Sequence, residues 1–168
     1  MQTWLVMMGI SVGVLQPSLP TQARKAPGTP VAVVVQLYQD YAWEVVVHNP
    51  NSRTGLMDEP LDVLARYFDD RLTQLIVRDR ECRVRTREVC NISGLPIWDS
   101  NDPEAFDLAV VATKDSTLVA VSFRRRYPES DGTTVRLSYR MVKTARGWRV
   151  QDIIRVDGGS LVKSLTAG

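Results

Sequence analysis

Four segments of strand character, Phe106 to Thr113, Thr117 to Tyr127, Thr133 to Lys143 and Gly147 to Val156, follow one another with only a few residues between them. The separators Lys114-Asp115-Ser116, Ser130-Asp131-Gly132 and Ala145-Arg146 are turn-competent. A parallel crossover needs about a dozen residues or more, so these neighbours must run antiparallel. In the third segment Val135, Leu137, Tyr139 and Met141 alternate with Arg136, Ser138 and Arg140. One face of the sheet is therefore apolar and the other wet, and the apolar face has to be covered by something else in the chain.

Two amphipathic segments upstream supply that cover. Thr29 suits an N-cap and Pro30 the first helical position; Val31, Val34, Leu37, Tyr38, Tyr41 and Val45 then recur at spacings of three and four, predicting a helix to about Val47. His48-Asn49-Pro50-Asn51-Ser52 reads as a loop. Asp58-Glu59-Pro60 gives a second start signal, and Leu61, Leu64, Ala65, Phe68, Leu72, Leu75 and Ile76 keep the helical period without a gap, predicting one unbroken helix. Gly158-Gly159-Ser160 ends the last strand and caps a short helical turn at Leu161 to Leu165. The fold class is α+β: two N-terminal helices packed on a curved four-stranded antiparallel meander.

This order of elements resembles the nuclear transport factor 2-like (cystatin-like) superfamily. Four stretches resemble, more narrowly, a family of exported bacterial domains of unknown function within it: Val35-Gln36-Leu37-Tyr38-Gln39-Asp40-Tyr41, Tyr67-Phe68-Asp69-Asp70-Arg71-Leu72, Pro96-Ile97-Trp98-Asp99-Ser100-Asn101-Asp102-Pro103 and Gly147-Trp148-Arg149-Val150-Gln151-Asp152-Ile153. The resemblance implies a cone-shaped fold with a pocket between sheet and helices. It implies no single function, because the superfamily holds enzymes, binding modules and inhibitors. Where members often carry an extra helix and a longer hairpin, this chain has the segment Cys82 to Glu104, which predicts a shallow or closed pocket.

Residues 1 to 23 contain no charged side chain, and Trp4 to Leu15 form an apolar run broken only by Gly9, Ser11 and Gly13. That run is too short to span a bilayer core of ~30 Å as a helix. Pro17, Pro20 and Thr21-Gln22-Ala23 follow as breaker and cleavage signals, so residues 1–23 are expected to be a removable secretory signal, 24–28 a tail and 29–168 a single domain. The only departure is the absence of an early Lys or Arg. All 21 Lys and Arg and all 19 Asp and Glu lie beyond Ala23, leaving a formal charge of +2, too near neutral to argue for nucleic acid. The expected compartment is periplasmic or extracellular, with no stable membrane insertion once the signal is removed.

An oxidising compartment also sets the expectation for Cys82 and Cys90, the two cysteines of the chain: a structural disulfide closing a loop of nine residues counting both ends. A zinc site would lack partners, and the spacing is not CxxC. His48 would need an orienting carboxylate and a nucleophile to act as a base, and it suits a helix C-terminus without either. Asp99-Ser100-Asn101-Asp102-Pro103-Glu104 resembles a calcium loop only until Pro103 and Glu104 are compared with what such a loop requires, and Asp102 before Pro103 fits a cap instead. Asn91-Ile92-Ser93 is a glycosylation sequon, meaningful only in a eukaryotic secretory pathway. No metal and no cofactor is expected, and no catalytic motif is present.

Two classes of function follow. The first is an exported non-catalytic binding protein, in the form of an inhibitor or immunity protein, that meets an acidic protein or envelope polymer through Arg124, Arg126, Arg136, Arg140 and Arg149 on adjacent strands. The second is a small-molecule pocket, carrier or enzyme, lined by Tyr38, Tyr41, Trp43, Trp98 and Asp152. An open apolar cavity would favour the second, and a filled core beneath a flat basic face the first.

Overall fold

In the computed structural model, which describes residues 28–45, 54–101, 104–127 and 130–167, the four strands form an antiparallel meander, but Ser130, Asp131 and Gly132, expected as the turn before the third strand, belong to that strand. Strands β1 (Ala105–Ala112), β2 (Leu118–Tyr127), β3 (Ser130–Thr144) and β4 (Gly147–Arg155) make one curved antiparallel sheet in the order of the chain. Val119, Val121, Phe123, Val135, Leu137, Tyr139 and Met141 point to one buried face, while Arg124, Arg136 and Arg140 are exposed on the other. At Arg140/Met141 the register slips, because Arg140 pairs with Asp152 and Met141 with Val150. Gln151 is the extra residue, and this bulge puts both Val150 and Ile153 into the core although they are three apart.

Helix α1 (Pro30–Tyr41) starts on Thr29, whose hydroxyl accepts from the Ala32 N–H at 3.2 Å. It continues as a 3-10 turn over Ala42–Val45, so the helical stretch expected to Val47 tightens before that point. Val33, Val34, Leu37, Tyr38 and Tyr41 are buried against the sheet.

The second helix is not continuous. A short α2 (Leu61–Leu64) ends in turns, and α3 begins afresh at Asp70 and runs to Thr86. The break has a tertiary cause: β4 pairs with Tyr67 to Asp69, with the Val150 N–H on Tyr67 O at 2.8 Å and the Asp69 N–H on Val150 O at 3.0 Å. Asp69 then caps α3 by accepting from the Leu72 N–H at 2.8 Å. At its far end α3 absorbs the Arg-rich segment through Cys82 and stops with Arg87 in the left-handed region (φ 61°). Helix α4 (Leu161–Leu165), capped by Ser160, lies against β4. Among the described residues no helix is long and apolar enough to cross a membrane.

One core joins helices and sheet. Leu64, Phe68, Leu72, Tyr38, Tyr41, Val121, Leu137 and Tyr139 are all buried in it, and Trp148 packs partly buried against it.

Candidate functional site

The space between α1 and the sheet, where a pocket would lie, is occupied by aromatic side chains. Tyr38 projects from α1 to Tyr139 on β3, with the two hydroxyl oxygens 2.8 Å apart, and donates to the carbonyl of Ile97 at 2.6 Å. Trp98 packs edge-on to both Tyr38 and Phe123, at centroid distances of 5.0 and 5.5 Å. Burial raises the Tyr38 and Tyr139 phenols well above the ordinary tyrosine range, so both stay neutral. They are buried hydrogen-bonding groups with no ionised form to offer chemistry.

Five residues expected to line a pocket are therefore scattered. Tyr38 and Trp98 are core. Asp152 is half-buried and accepts from the Ile153 and Val162 N–H groups, fixing the first turn of α4 to β4. Tyr41 and Trp43 do share a concavity, an open hollow of about 440 Å³ on the α1 side that also involves Asp40, Glu59 and Tyr67. Burial, with Glu59 next, pushes the Tyr41 phenol up, and Tyr67 donates to Asp40 at 2.6 Å. His48 lies outside the described residues, as do residues 1–23, Asp102 and Pro103. Among the described residues no group of His, Cys, Asp and Glu has the spacing to hold a metal ion.

The loop from Cys90 to Asn101 is held at several points. Cys82 and Cys90 form the expected disulfide, with Cα atoms 6.2 Å apart. The buried carboxylate of Asp79 accepts from the Asn91 N–H at 2.7 Å and lies 3.5 Å from Arg83. Glu44 accepts from the Trp98 indole at 3.0 Å and from the Leu56 N–H at 2.8 Å, which ties two distant segments to one carboxylate. Desolvation raises the Glu44 pKa above its ordinary value, against the lowering effect of those two donors. Neither Glu44 nor Asp79 was legible as important in the sequence, since each is one acid among polar positions of a helix.

The outer sheet face carries the exposed charge. Arg124 and Arg126 both stack on the Phe106 ring, 4.9 and 5.5 Å from its centroid, and Arg124 also lies 3.7 Å from Asp107. The pairings Arg124↔Thr134, Ser122↔Arg136 and Leu118↔Arg140 put Arg124, Arg136 and Arg140 along one surface. Arg149 does not join them, contrary to the sequence reading. It is 6% exposed, and its guanidinium donates to the carbonyls of Ala65 and Trp148. Burial lowers its pKa, and the side chain folds over the β4 edge instead of standing out from the sheet. Four arginines, not five, define the basic face.

No protein-family model and no curated protein matches the sequence. Among solved structures, the chain is similar to a phospholipid-binding protein from Ralstonia solanacearum determined in complex with a phospholipid, at 17% identity and a TM-score of 0.43, covering 82% of this chain and 83% of that one. At that level the similarity carries no argument about ligand or activity.

Proposed function

We propose that this chain is an exported, non-catalytic binding protein of the bacterial envelope, placed in the cystatin-like superfamily, that docks an acidic protein or envelope polymer on its outer sheet face. The observation that carries the reading is the contrast between the two sides of the sheet. Inside, Tyr38, Tyr139, Trp98 and Phe123 fill the volume that a superfamily enzyme or carrier would leave open. Outside, Arg124, Arg126, Arg136 and Arg140 are exposed on rigid strands. Guanidinium groups on a rigid scaffold suit recognition of carboxylates, which they can bind in a planar two-point geometry. Inhibition of a partner enzyme, with immunity as its cellular purpose, fits a small basic surface of this kind. The Cys82–Cys90 disulfide supports an oxidising compartment.

The experiment uses poly-L-glutamate as a defined acidic partner. The mature protein is expected to bind it with an affinity that falls as salt rises, and the triple variant Arg124→Glu, Arg136→Glu, Arg140→Glu is expected to lose that binding while Arg66→Glu, on the helical side, keeps it. Equal binding by all three proteins, or none by the unaltered one, contradicts an acidic partner on this face. Export is tested separately: protein recovered from the envelope fraction should begin near Arg24.

A further inference from the structure

A second concavity shares no lining residue with the α1 hollow. It is a cleft of about 200 Å³ between the disulfide-held loop and the β4–α4 corner. Its apolar floor is made by Ile153 and Leu161, both buried, with Ile92 and Leu95 as a half-buried wall. At its mouth Arg155, the last residue of β4, faces Asp99, with Nη1 3.8 Å from the nearer carboxylate oxygen. The guanidinium Nε is 3.5 Å from Asp157, again at the outer limit of contact. Arg155 is thus surrounded by acids without a short two-point pairing to either, and both Arg155 and Asp99 remain partly exposed, at 44% and 33%.

Both walls are built rather than loose. Leu95 N–H donates to Ser100 O at 2.8 Å and Trp98 N–H to Leu95 O at 3.0 Å, while Asp79 and the disulfide hold the loop's other end. Opposite, Arg155 N–H donates to Gly159 O at 2.8 Å and Ser164 N–H to Ser160 O at 2.9 Å.

The chemistry of the mouth selects the ligand. A simple anion attracted to Arg155 would meet Asp99, and a simple cation attracted to Asp99 would meet Arg155. A zwitterion satisfies both, since opposite charges a few ångströms apart on the ligand match opposite charges a few ångströms apart on the protein. The floor adds an apolar requirement, and the volume, below the roughly 300–1,000 Å³ of sites for drug-sized ligands, excludes anything as large as a lipid chain. We propose that this cleft binds a small apolar α-amino acid, with its carboxylate on Arg155, its ammonium on Asp99 and its side chain over Ile153 and Leu161. The site is independent of the basic sheet face and stands or falls without it.

The test is calorimetric titration of the oxidised mature protein with L-leucine and three truncated relatives: 4-methylpentanoate, which lacks the ammonium, 3-methylbutylamine, which lacks the carboxylate, and glycine, which lacks the side chain. Leucine should bind, and each relative should bind roughly tenfold to hundredfold more weakly. Arg155→Gln should erase the advantage of leucine over 3-methylbutylamine, and Asp99→Asn, which tolerates the left-handed backbone at φ 48°, should erase its advantage over 4-methylpentanoate. Ser164→Leu, which fills the cleft from α4 without touching either charge, should abolish leucine binding with the fold intact. Absence of leucine binding at millimolar concentration, equal binding of all four compounds, or unchanged binding by Ser164→Leu each overturns the proposal. The ligand series and Ser164→Leu decide the matter even if either charge variant misfolds.

Discussion

The hydroxyls of Tyr38 and Tyr139 lie 2.8 Å apart between α1 and β3, and because Tyr38 spends its single proton on Ile97 O, the proton between the two rings comes from Tyr139. Tyr38 is therefore both donor and acceptor, and Tyr139 is a donor only. Tyr139→Phe removes one hydrogen bond and should cost about 1 kcal/mol; Tyr38→Phe strands both the Ile97 carbonyl and the Tyr139 hydroxyl and should cost more, about 1–3 kcal/mol for each group left unpaired. Urea unfolding of the two variants checks the order. A Tyr139→Phe penalty larger than that of Tyr38→Phe would reverse the assigned direction of the bond.

Leu72, at the start of α3, is fully buried. Leu72→Ala should lower stability by about 2–5 kcal/mol, the spread reflecting how far the surroundings relax into the cavity. An unfolding midpoint that does not move would mean that α3 does not pack on the sheet in this register.

Much of this architecture could be read in advance, and the failures have specific causes. The strands were legible because the third alternates strictly and their short connections leave no choice of direction. The interruption at Ala65 to Asp69 was not, because Phe68 and Leu72 keep the helical spacing across it. What breaks the helix is a pair of backbone hydrogen bonds from β4, and these leave no mark on residues 65–69 themselves. Arg149 was misplaced for a related reason. Parity along a strand indicates which side of the sheet a residue leaves from, but a long side chain on an edge strand can turn over the rim, and Ala65 O waits there for it. Asp152 was legible as noteworthy but not for its role, which arises only when α4 comes back against the bulged strand. Of the candidate site, the basic face followed from strand parity; the filled interior depended on packing, which no spacing rule conveys.

The Glu44 carboxylate gives a pH prediction whose sign is fixed by burial. Its pKa is raised in the folded protein, so the folded state holds this proton more tightly than the unfolded one. Stability from this group is then present below the ordinary glutamate range, about 4.3, and is lost as pH rises through that value to the raised one. Glu44→Gln should remove this component of the pH dependence. It should also lower stability at pH 7, since the Leu56 N–H and the Trp98 indole sit on different carboxylate oxygens, and in the amide one of those two positions becomes an NH2 group that cannot accept. Thermal unfolding from pH 4 to pH 7, on both proteins, is the measurement; identical slopes would remove Glu44 as the source.

Reduction of Cys82–Cys90 should cost roughly 2–3 kcal/mol by the chain-entropy estimate for so short a loop. Asp79 and Glu44 anchor the same segment, so the reduced protein should stay folded with Trp98 still buried, and near-ultraviolet circular dichroism should change little. Two free thiols in the denatured, unreduced protein from an oxidising compartment would show that the bridge does not form there.

The pairing of Tyr67 and Asp69 with Val150 also dictates when the molecule can come together. The N-cap of α3 is fastened to the last strand, so α3 cannot take its final place until nearly all of the chain is available. Closing so long a loop slows folding in general. Until it closes, the apolar side of α3 is left bare. Once the last strand arrives, the amides of Asp69 and Val150 should become protected from solvent exchange in the same step.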